Sequence, residues 1–171
     1  VVPVYNKAPH LKACFDCLER QTISKSDLEV LLIDDGSTDE SLALCEAFAA
    51  ERPWVRVIAQ SNAGVSEARN AGIRAARGRY LFFLDPDDSL SPETLENVSK
   101  FFESCPEEVE LATYPIVSIR DGKRQRLHHR YDVLRETGVY DLTLPENATI
   151  AQATMNVAVR NRFDGNVLFD F

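Results

Sequence analysis

The regular alternation of strand-like and helix-like segments is the feature of this sequence that most restricts its fold. Five segments have the composition of strands: Val1–Tyr5, Glu29–Asp34, Val55–Ala59, Tyr80–Leu84 and Glu110–Ser118. Helical patterns lie between them, near His10–Gln21, Asp39–Glu51, Val65–Ala76 and Pro92–Glu103. Strands that alternate with helices are typical of a parallel sheet with crossover helices. The pattern therefore predicts an α/β fold.

Two of the predicted helices carry start signals of their own. Ser37 and Glu40 have the spacing of a capping box, and Ser91 followed by Pro92 predicts an N-cap with proline in the first turn. Residues 34–38 and 85–90 would then each connect the end of a strand to a helix. Because open α/β sheets bind ligands outside the carboxyl ends of their strands, both loops are candidate sites.

Length and charge exclude several classes of protein. A chain of 171 residues with 44% apolar residues is long enough for one domain with its own core. Its formal net charge of −8 argues against nucleic-acid binding, which needs a clustered basic surface. The most apolar run, Tyr80–Leu84, is far shorter than a membrane span, so we expect neither a transmembrane helix nor a signal peptide.

The four cysteines raise the question of a zinc site. Cys14 and Cys17 have C-x-x-C spacing, but a second pair is missing because Cys45 and Cys105 stand alone. Leu11, Cys14 and Leu18 recur at helical spacing on one face. We therefore expect reduced thiols in a core, which is typical of a cytoplasmic protein.

Three carboxylates follow the fourth predicted strand, in the run Asp85-Pro86-Asp87-Asp88. Carboxylates at the end of a buried strand need water, cations or hydrogen-bond donors nearby. Mg²⁺ and Mn²⁺ take such oxygen ligands, commonly one or two carboxylates together with substrate phosphates. The alternative is an Asp/Pro turn that only ends the strand.

Other polar motifs are weaker when taken alone. Asp34-Asp35-Gly36-Ser37 ends the second predicted strand and is equally typical of a turn with a capping serine. Val65, Ala68, Gly72 and Ala75 have the spacing of a helix face packed on the sheet, and Arg69 would point from that helix toward a site or form a surface salt bridge. His128 and His129, in the basic segment 120–135 with its Asp121-Gly122 turn signal, lack partners at metal-ligand spacing, and a solvated hairpin or excursion is expected there.

Missing motifs narrow the choice further. The first strand is not followed by G-x-G-x-x-G, and neither a P-loop nor a G-x-S-x-G elbow occurs. The sequence therefore does not predict a Rossmann dinucleotide site, a P-loop nucleotidase or an α/β-hydrolase.

Four motifs in order resemble the family 2 glycosyltransferases of the GT-A fold, within residues 1–105. They are Val-Pro-Val-Tyr-Asn at 2–6, Asp-Asp-Gly-Ser-Thr-Asp at 34–39, Asn-Ala-Gly-Val-Ser-Glu-Ala-Arg-Asn-Ala-Gly at 62–72 and Phe-Leu-Asp-Pro-Asp-Asp at 83–88. The resemblance implies a three-layer sandwich with a mostly parallel central sheet, and a donor that is a nucleotide-diphosphate sugar, for which a UDP-sugar is favoured.

The resemblance also implies roles for individual residues. The donor-binding residues would be Pro3, Tyr5, Asn6, Asp35, Asn62, Arg69, Asp85 and Asp87. In this family the second aspartate of the Asp34-Asp35 pair contacts the pyrimidine base. Asp87 would ligate Mg²⁺ or Mn²⁺, with Asp85 and Asp88 as further candidate ligands. Because Asp35 follows its strand on a loop, we expect its replacement to leave folding largely intact.

The catalytic base is not evident in this sequence. The family usually takes the base from an acidic pair, often Glu-Asp, well beyond the D-x-D, and no Glu-Asp dipeptide follows Asp88. Residues 162–170 resemble the stretch that precedes that pair. We expect the base beyond Phe171, with Asp164 and Asp170 as the alternative candidates.

These inferences predict a metal-dependent, inverting glycosyltransferase. The chain would be one GT-A catalytic domain truncated at both ends, with a nucleotide-sugar-binding half at 1–105 and the start of an acceptor half at 106–171. A glycan, teichoic-acid or lipid-linked acceptor would fit a cytoplasmic enzyme, peripheral at the inner membrane face in its full-length form. The alternatives are a sugar nucleotidyltransferase, which needs a Gly-rich basic first loop unlike residues 5–9, and a non-catalytic nucleotide-sugar-binding module.

Overall fold

A computed structural model of the protein describes residues 1–106, 109, 111–113, 119–120, 123–124 and 157–161. In chain order the elements are β1 Val2–Val4, α1 Ala8–Glu19, β2 Val30–Asp34, α2 Ser41–Ala49, β3 Val55–Ala59, α3 Val65–Ala75, β4 Tyr80–Phe82, α4 Thr94–Ser104, β5 Leu111–Thr113, β6 Ile119–Arg120, β7 Lys123–Arg124 and β8 Val157–Arg160. The predicted alternation of strands and helices through the first hundred residues is confirmed.

The central strands are parallel. β1 pairs with β2, and β2 pairs with β3, in parallel register. The amino group of Val1 donates to the Phe82 carbonyl at 2.7 Å, and the N–H of Leu84 donates to the Val1 carbonyl at 3.0 Å, so β4 runs beside β1. Pro3 has no N–H to continue this pairing, and the chain after Leu84 turns away from the sheet.

The far side of the sheet is antiparallel. β8 pairs with both β4 and β5, which gives the strand order β4-β8-β5. No strand was predicted at Val157–Arg160, because this four-residue run carries no periodic signal and its partners lie far away in the chain. β6 and β7 form the predicted hairpin on either side of residues 121–122.

Helices cover both faces of the parallel strands. Val2, Val4, Val30 and Leu32 form one buried cluster with apolar residues of α1 and α2. Leu31 and Ile33 point to the other face and pack with Ala68 of α3. Cys14, Cys17 and Cys45 are fully buried in the first cluster, which confirms them as core residues. Burial raises the pKa of the Cys14 and Cys45 thiols to about 12.

Three local predictions are wrong. α2 begins at Ser41 with Glu40 at its N-cap and no side-chain cap, so Ser37 and Glu40 form no capping box. α4 begins at Thr94, and Ser91 lies in the turn before it. Val65 is 50% exposed because it occupies the first position of α3, beyond the edge of the sheet.

Candidate functional site at the carboxyl edge

Four loops meet where the parallel strands end. β1, β2 and β3 point the same way and β4 runs beside β1, so the loops that follow them leave from one edge of the sheet. We name them the first loop (5–7), the second loop (35–40), the third loop (60–64) and the acidic loop (85–90). All the sequence-predicted site residues that the structure describes lie on these loops, on adjacent β1 or on α3.

Asn6 connects the first loop to the second. Its side-chain Oδ1 accepts hydrogen bonds from the backbone N–H groups of Thr38, at 2.8 Å, and Asp39, at 3.3 Å. The backbone N–H of Asn6 donates to Ser37 Oγ at 3.0 Å. Asn6 has a φ of 51°, in the left-handed region that asparagine tolerates better than most residues. The donor contact predicted for Asn6 stays a prediction.

Asp35 connects the second loop to the third. Its Oδ1 accepts from Gln60 Nε2 and from the backbone N–H of Ala63, and its Oδ2 accepts from the N–H of Gly64, all at 2.8 Å. The residue is only 2% exposed. A carboxylate offers about four acceptor positions, so one remains for a ligand. Asp35 is therefore a buried residue that holds the second and third loops together, with or without a contact to a ligand.

Asp34 and Gly36 shape the second loop. Asp34 Oδ2 accepts from the Ser37 N–H at 3.1 Å, while its buried Oδ1 has no hydrogen-bond partner among the described residues. Gly36 has a φ of +72°, and a Cβ at this position would lie 2.8 Å from the Asn62 backbone nitrogen. The turn therefore needs glycine both for its conformation and for the close approach of the third loop.

Arg69 connects α3 to the acidic loop. Its Nη2 donates to Asp85 Oδ1 at 2.8 Å, and the two side chains are 9% and 25% exposed. The alternative of a surface salt bridge is wrong, because Arg69 is buried between the helix and the sheet edge. A guanidinium stays charged at any ordinary pH, so Arg69 places a permanent positive charge beside Asp85.

The acidic loop closes the ring with the first loop. The Asp88 N–H donates to the Asp85 carbonyl at 2.9 Å, which makes residues 85–88 a turn with Pro86 in its second position. The turn directs Asp87 outward, where its Oδ2 accepts from Lys7 Nζ at 2.7 Å. The hydrogen bond from Lys7 lowers the pKa of Asp87. The four loops thus form a closed ring of side-chain contacts, in which Arg69 of α3 makes the link between the third loop and the acidic loop.

Sequence reasoning missed Lys7 and Gln60. Lys7 lies in a first loop whose lack of glycine argues only against a sugar nucleotidyltransferase, and Gln60 belongs to no motif. The sequence does hold one indication for Lys7, which is a cation directly after Asn6, the last residue of the first motif. Its partner Asp87 is eighty residues away in the chain, and only the packed sheet edge brings the two together.

The acids fit a divalent ion that is shared with a ligand. Partial desolvation, and then the charges of Asp85 and Asp87, raise the pKa of Asp88, so the acidic loop carries unfavourable repulsion that a cation would relieve. No group of three or more metal-ligating side chains occurs among the residues that the structure describes. One or two carboxylates with the remaining ligands from phosphate and water is the usual Mg²⁺ arrangement.

The other predicted donor-binding residues differ in exposure. Tyr5 is 47% exposed and Asn62 is also exposed, so both side chains are accessible to solvent at this edge. Pro3 is buried within β1. The ligand contacts of all three stay predictions. His128, His129, Asp164 and Asp170 lie outside the described residues.

A cavity of about 670 Å³ lies away from this site. Its lining includes Glu29, Arg77 and Tyr80 at the amino ends of β2 and β4, together with residues of α4. Leu90, the last residue of the acidic loop, also lines it, but the residues whose side chains link the loops to one another do not. The candidate site is therefore an open edge rather than this cavity.

Comparison with known proteins identifies the family. The model of glycosyl transferase family 2 matches residues 1–163. The chain belongs to glycosyl transferase family 2. Residues 1–106, which carry all four motifs, thus form the ring of loops of a family 2 glycosyltransferase domain.

Curated members of family 2 are similar to this domain. It is 43% identical over 100 residues to the uncharacterised glycosyltransferase EpsJ of Bacillus subtilis, which covers 58% of the chain and 28% of EpsJ. It is 38% identical over 117 residues to the minor teichoic acid biosynthesis protein GgaB of the same organism, which covers 68% of the chain and 13% of GgaB. The chain thus spans less than a third of either relative.

Solved structures establish the GT-A fold of the family 2 domain. Residues 1–349 of S. aureus TarS in complex with UDP superimpose with a TM-score of 0.78 at 21% identity, covering 94% of this chain and 46% of that one. The Pyrobaculum calidifontis mannosyltransferase PcManGT, in complex with GDP-Man and Mn²⁺, superimposes with a TM-score of 0.61 at 26% identity, covering 67% and 34%. No described helix is long and apolar enough to cross a bilayer.

Proposed function

We propose that this domain binds a UDP-sugar together with Mg²⁺ or Mn²⁺ and serves an inverting sugar transfer to a glycan, teichoic-acid or lipid-linked acceptor. Residues 1–105 are the nucleotide-sugar-binding half, and residues 106–171 begin the acceptor half. The observation that carries this proposal is the ring of loops, which gathers Asp85, Asp87 and Asp88 beside the open edge. Such an edge suits a flat base at one end and a diphosphate at the other.

The relatives support the choice of donor and acceptor. TarS has been solved with UDP and with UDP-GlcNAc, and GgaB is named for teichoic acid biosynthesis. PcManGT has been solved with Mn²⁺ beside its nucleotide sugar. UDP is therefore the first donor nucleotide to test, with GDP as the comparison.

In this proposal, different residues of the chain bind the metal and the nucleoside. Asp87 would hold the metal, because Lys7, its ion-pair partner among the described residues, is partly exposed and exchangeable, while Asp85 is held by buried Arg69. A bound divalent ion would stabilise the negative charge that develops on the departing diphosphate. Tyr5 and Asn62 offer exposed side chains to the nucleoside, and Asp35 keeps the second and third loops together beneath it.

The acceptor hydroxyl needs a base within hydrogen-bond reach. Asp85, Asp87 and Asp88 are engaged on the donor side in this proposal. The base is therefore expected after the acidic loop, beyond Phe171 or at Asp164 or Asp170.

Calorimetric titration of UDP tests the metal requirement. With Mn²⁺ present UDP should bind, and EDTA or Asp87→Asn should weaken binding roughly tenfold or more, a loss of about 1.4 kcal/mol per factor of ten. Asp16→Asn is the matched control, because Asp16 also pairs with a lysine but on the exposed surface of α1. Equal UDP affinity with Mn²⁺ and with EDTA would contradict the metal requirement, and stronger binding of GDP would contradict the donor assignment.

A further inference from the structure

Two cation–carboxylate pairs hold the acidic loop, and they differ in how easily they exchange. Arg69 and Asp85 are 9% and 25% exposed, whereas Lys7 and Asp87 are 34% and 46% exposed. Asp85 therefore keeps its partner in a desolvated setting. Asp87 faces solvent, and its Oδ2 is already paired with the Lys7 ammonium.

The chemistry of the two cations strengthens this difference. A guanidinium is planar and holds a carboxylate in a fixed geometry, while an ammonium is a compact charge on a flexible stem. Exposed ion pairs contribute little stability, so a lysine at this position can leave at small cost. Lys7 Nζ lies 2.7 Å from Asp87 Oδ2. At this distance the ammonium charge would repel a second cation from the same oxygen.

The backbone of Lys7 is fixed independently of its side chain. Its N–H donates to Ser41 Oγ at 2.8 Å, and its carbonyl accepts from the N–H groups of His10 and Leu11 at the start of α1. Ser41 is fully buried. The side chain is therefore the part of Lys7 that is free to move when Asp87 changes partner.

We propose that Lys7 is a built-in counter-ion for Asp87 that competes with the divalent metal and lowers its affinity for the donor-free protein. This inference rests on the proposed function, since it takes Asp87 as a metal ligand. Metal would then enter efficiently only with the diphosphate, whose phosphate oxygens add ligands that Lys7 cannot displace. Lys7 is in this sense a positioning residue that sets the order of donor and metal binding.

The test is Mn²⁺ binding without nucleotide, measured by the electron paramagnetic resonance signal of free Mn²⁺. Lys7→Met should tighten Mn²⁺ binding about two- to fivefold, the range expected for one half-exposed ion pair. The gain should shrink in 1 M NaCl, because salt screens exposed charges. Lys12→Met removes an exposed lysine that pairs with Asp16 and should leave Mn²⁺ affinity unchanged.

A second comparison isolates the pair. In an Asp87→Asn background Lys7→Met should no longer change Mn²⁺ affinity, and circular dichroism melts verify that each variant folds. Unchanged or weaker Mn²⁺ binding by Lys7→Met would overturn the counter-ion role. UDP titrations of the wild type, in Mn²⁺ and in EDTA, test the proposed function separately. A wild type that binds UDP equally well in both conditions would instead remove the metal site on which the inference rests.

Discussion

Asp35 carries more of the local structure than its place on a loop indicates. Its carboxylate accepts three hydrogen bonds of 2.8 Å, two of them from backbone N–H groups of the third loop. It is also 2% exposed, so water cannot replace a lost partner. Both facts reverse the expectation that substitution of Asp35 leaves folding largely intact.

Asp35→Asn should therefore destabilise the protein by about 2–3 kcal/mol. With Oδ1 still facing Gln60 and Ala63, the new amide NH₂ would point at the Gly64 N–H and leave a buried donor unsatisfied. The melting temperature should fall by roughly 5–10 °C for a chain of this size. Asp16→Asn, on the surface of α1, should melt within about 1–2 °C of the wild type.

An Asp35→Asn protein that melted like the wild type but bound UDP poorly would contradict this interpretation. In that case the carboxylate would serve the ligand, and the three hydrogen bonds would contribute little to folding. Unfolding curves and UDP titrations on the same samples separate the two outcomes.

Among the elements of the fold, the second and third loops approach each other closely. Gly36 ends the turn after β2 and has Asn62 and Gln60 as its nearest neighbours, whereas Gly64, before α3, has open space where its Cβ would lie. Both glycines have positive φ, of +72° and +91°. Gly64 also has a ψ of 160°, in a region that essentially only glycine adopts, so the two positions differ in backbone conformation as well as in the space available for a side chain.

Gly36→Ala and Gly64→Ala should both destabilise the protein. Each substitution places alanine at a positive φ, at a cost of roughly 1–3 kcal/mol. Gly36→Ala must in addition move the backbone of the third loop, because the new Cβ would lie 2.8 Å from Asn62 N. Denaturant unfolding measures both losses, and a loss for Gly36→Ala no larger than this backbone cost would show that the second and third loops can separate without penalty.

The elements were predictable where the signal is local. Strand and helix alternation gave β1 to β4 and α1 to α4 within a few residues, since apolar runs and helical spacing are read within a short window. Helix starts were predicted less well. The Ser37 and Glu40 spacing fits a capping box, but Ser37 bonds to Asn6 and Asp34 instead, through contacts that the spacing does not encode.

The site was predictable as a set of motifs but not as a network. The motifs marked Asp35, Arg69, Asp85 and Asp87, yet the pairs Arg69–Asp85 and Lys7–Asp87 depend on strand order and on the orientation of the turn at 85–88. β8 was not predicted for the same reason, because its pairing with β4 joins residues separated by nearly half of the chain. Long-range contacts of this kind follow from packing rather than from local sequence.

At the scale of the whole molecule, the core and the site are separate parts of one sheet. Buried clusters on both faces of the strands hold the sheet, while the ring of loops lies beyond the strands' carboxyl ends and is held by polar contacts. Loops held in this way order more fully when a ligand bridges them. Donor and metal should consequently stabilise the whole fold, since the unfolded chain has no such edge.

Thermal unfolding with UDP and Mn²⁺ together should show this linkage. At a UDP concentration of about one hundred times Kd, stabilisation of about 2.7 kcal/mol should raise the melting temperature by roughly 5–10 °C. A tenfold weaker binding in EDTA would leave about 1.4 kcal/mol of this stabilisation, so UDP with EDTA should give at most about half of the shift. Asp87→Asn should show the same reduced shift while Asp16→Asn keeps the full one, and a full shift with UDP in EDTA would mean that the donor binds without a metal.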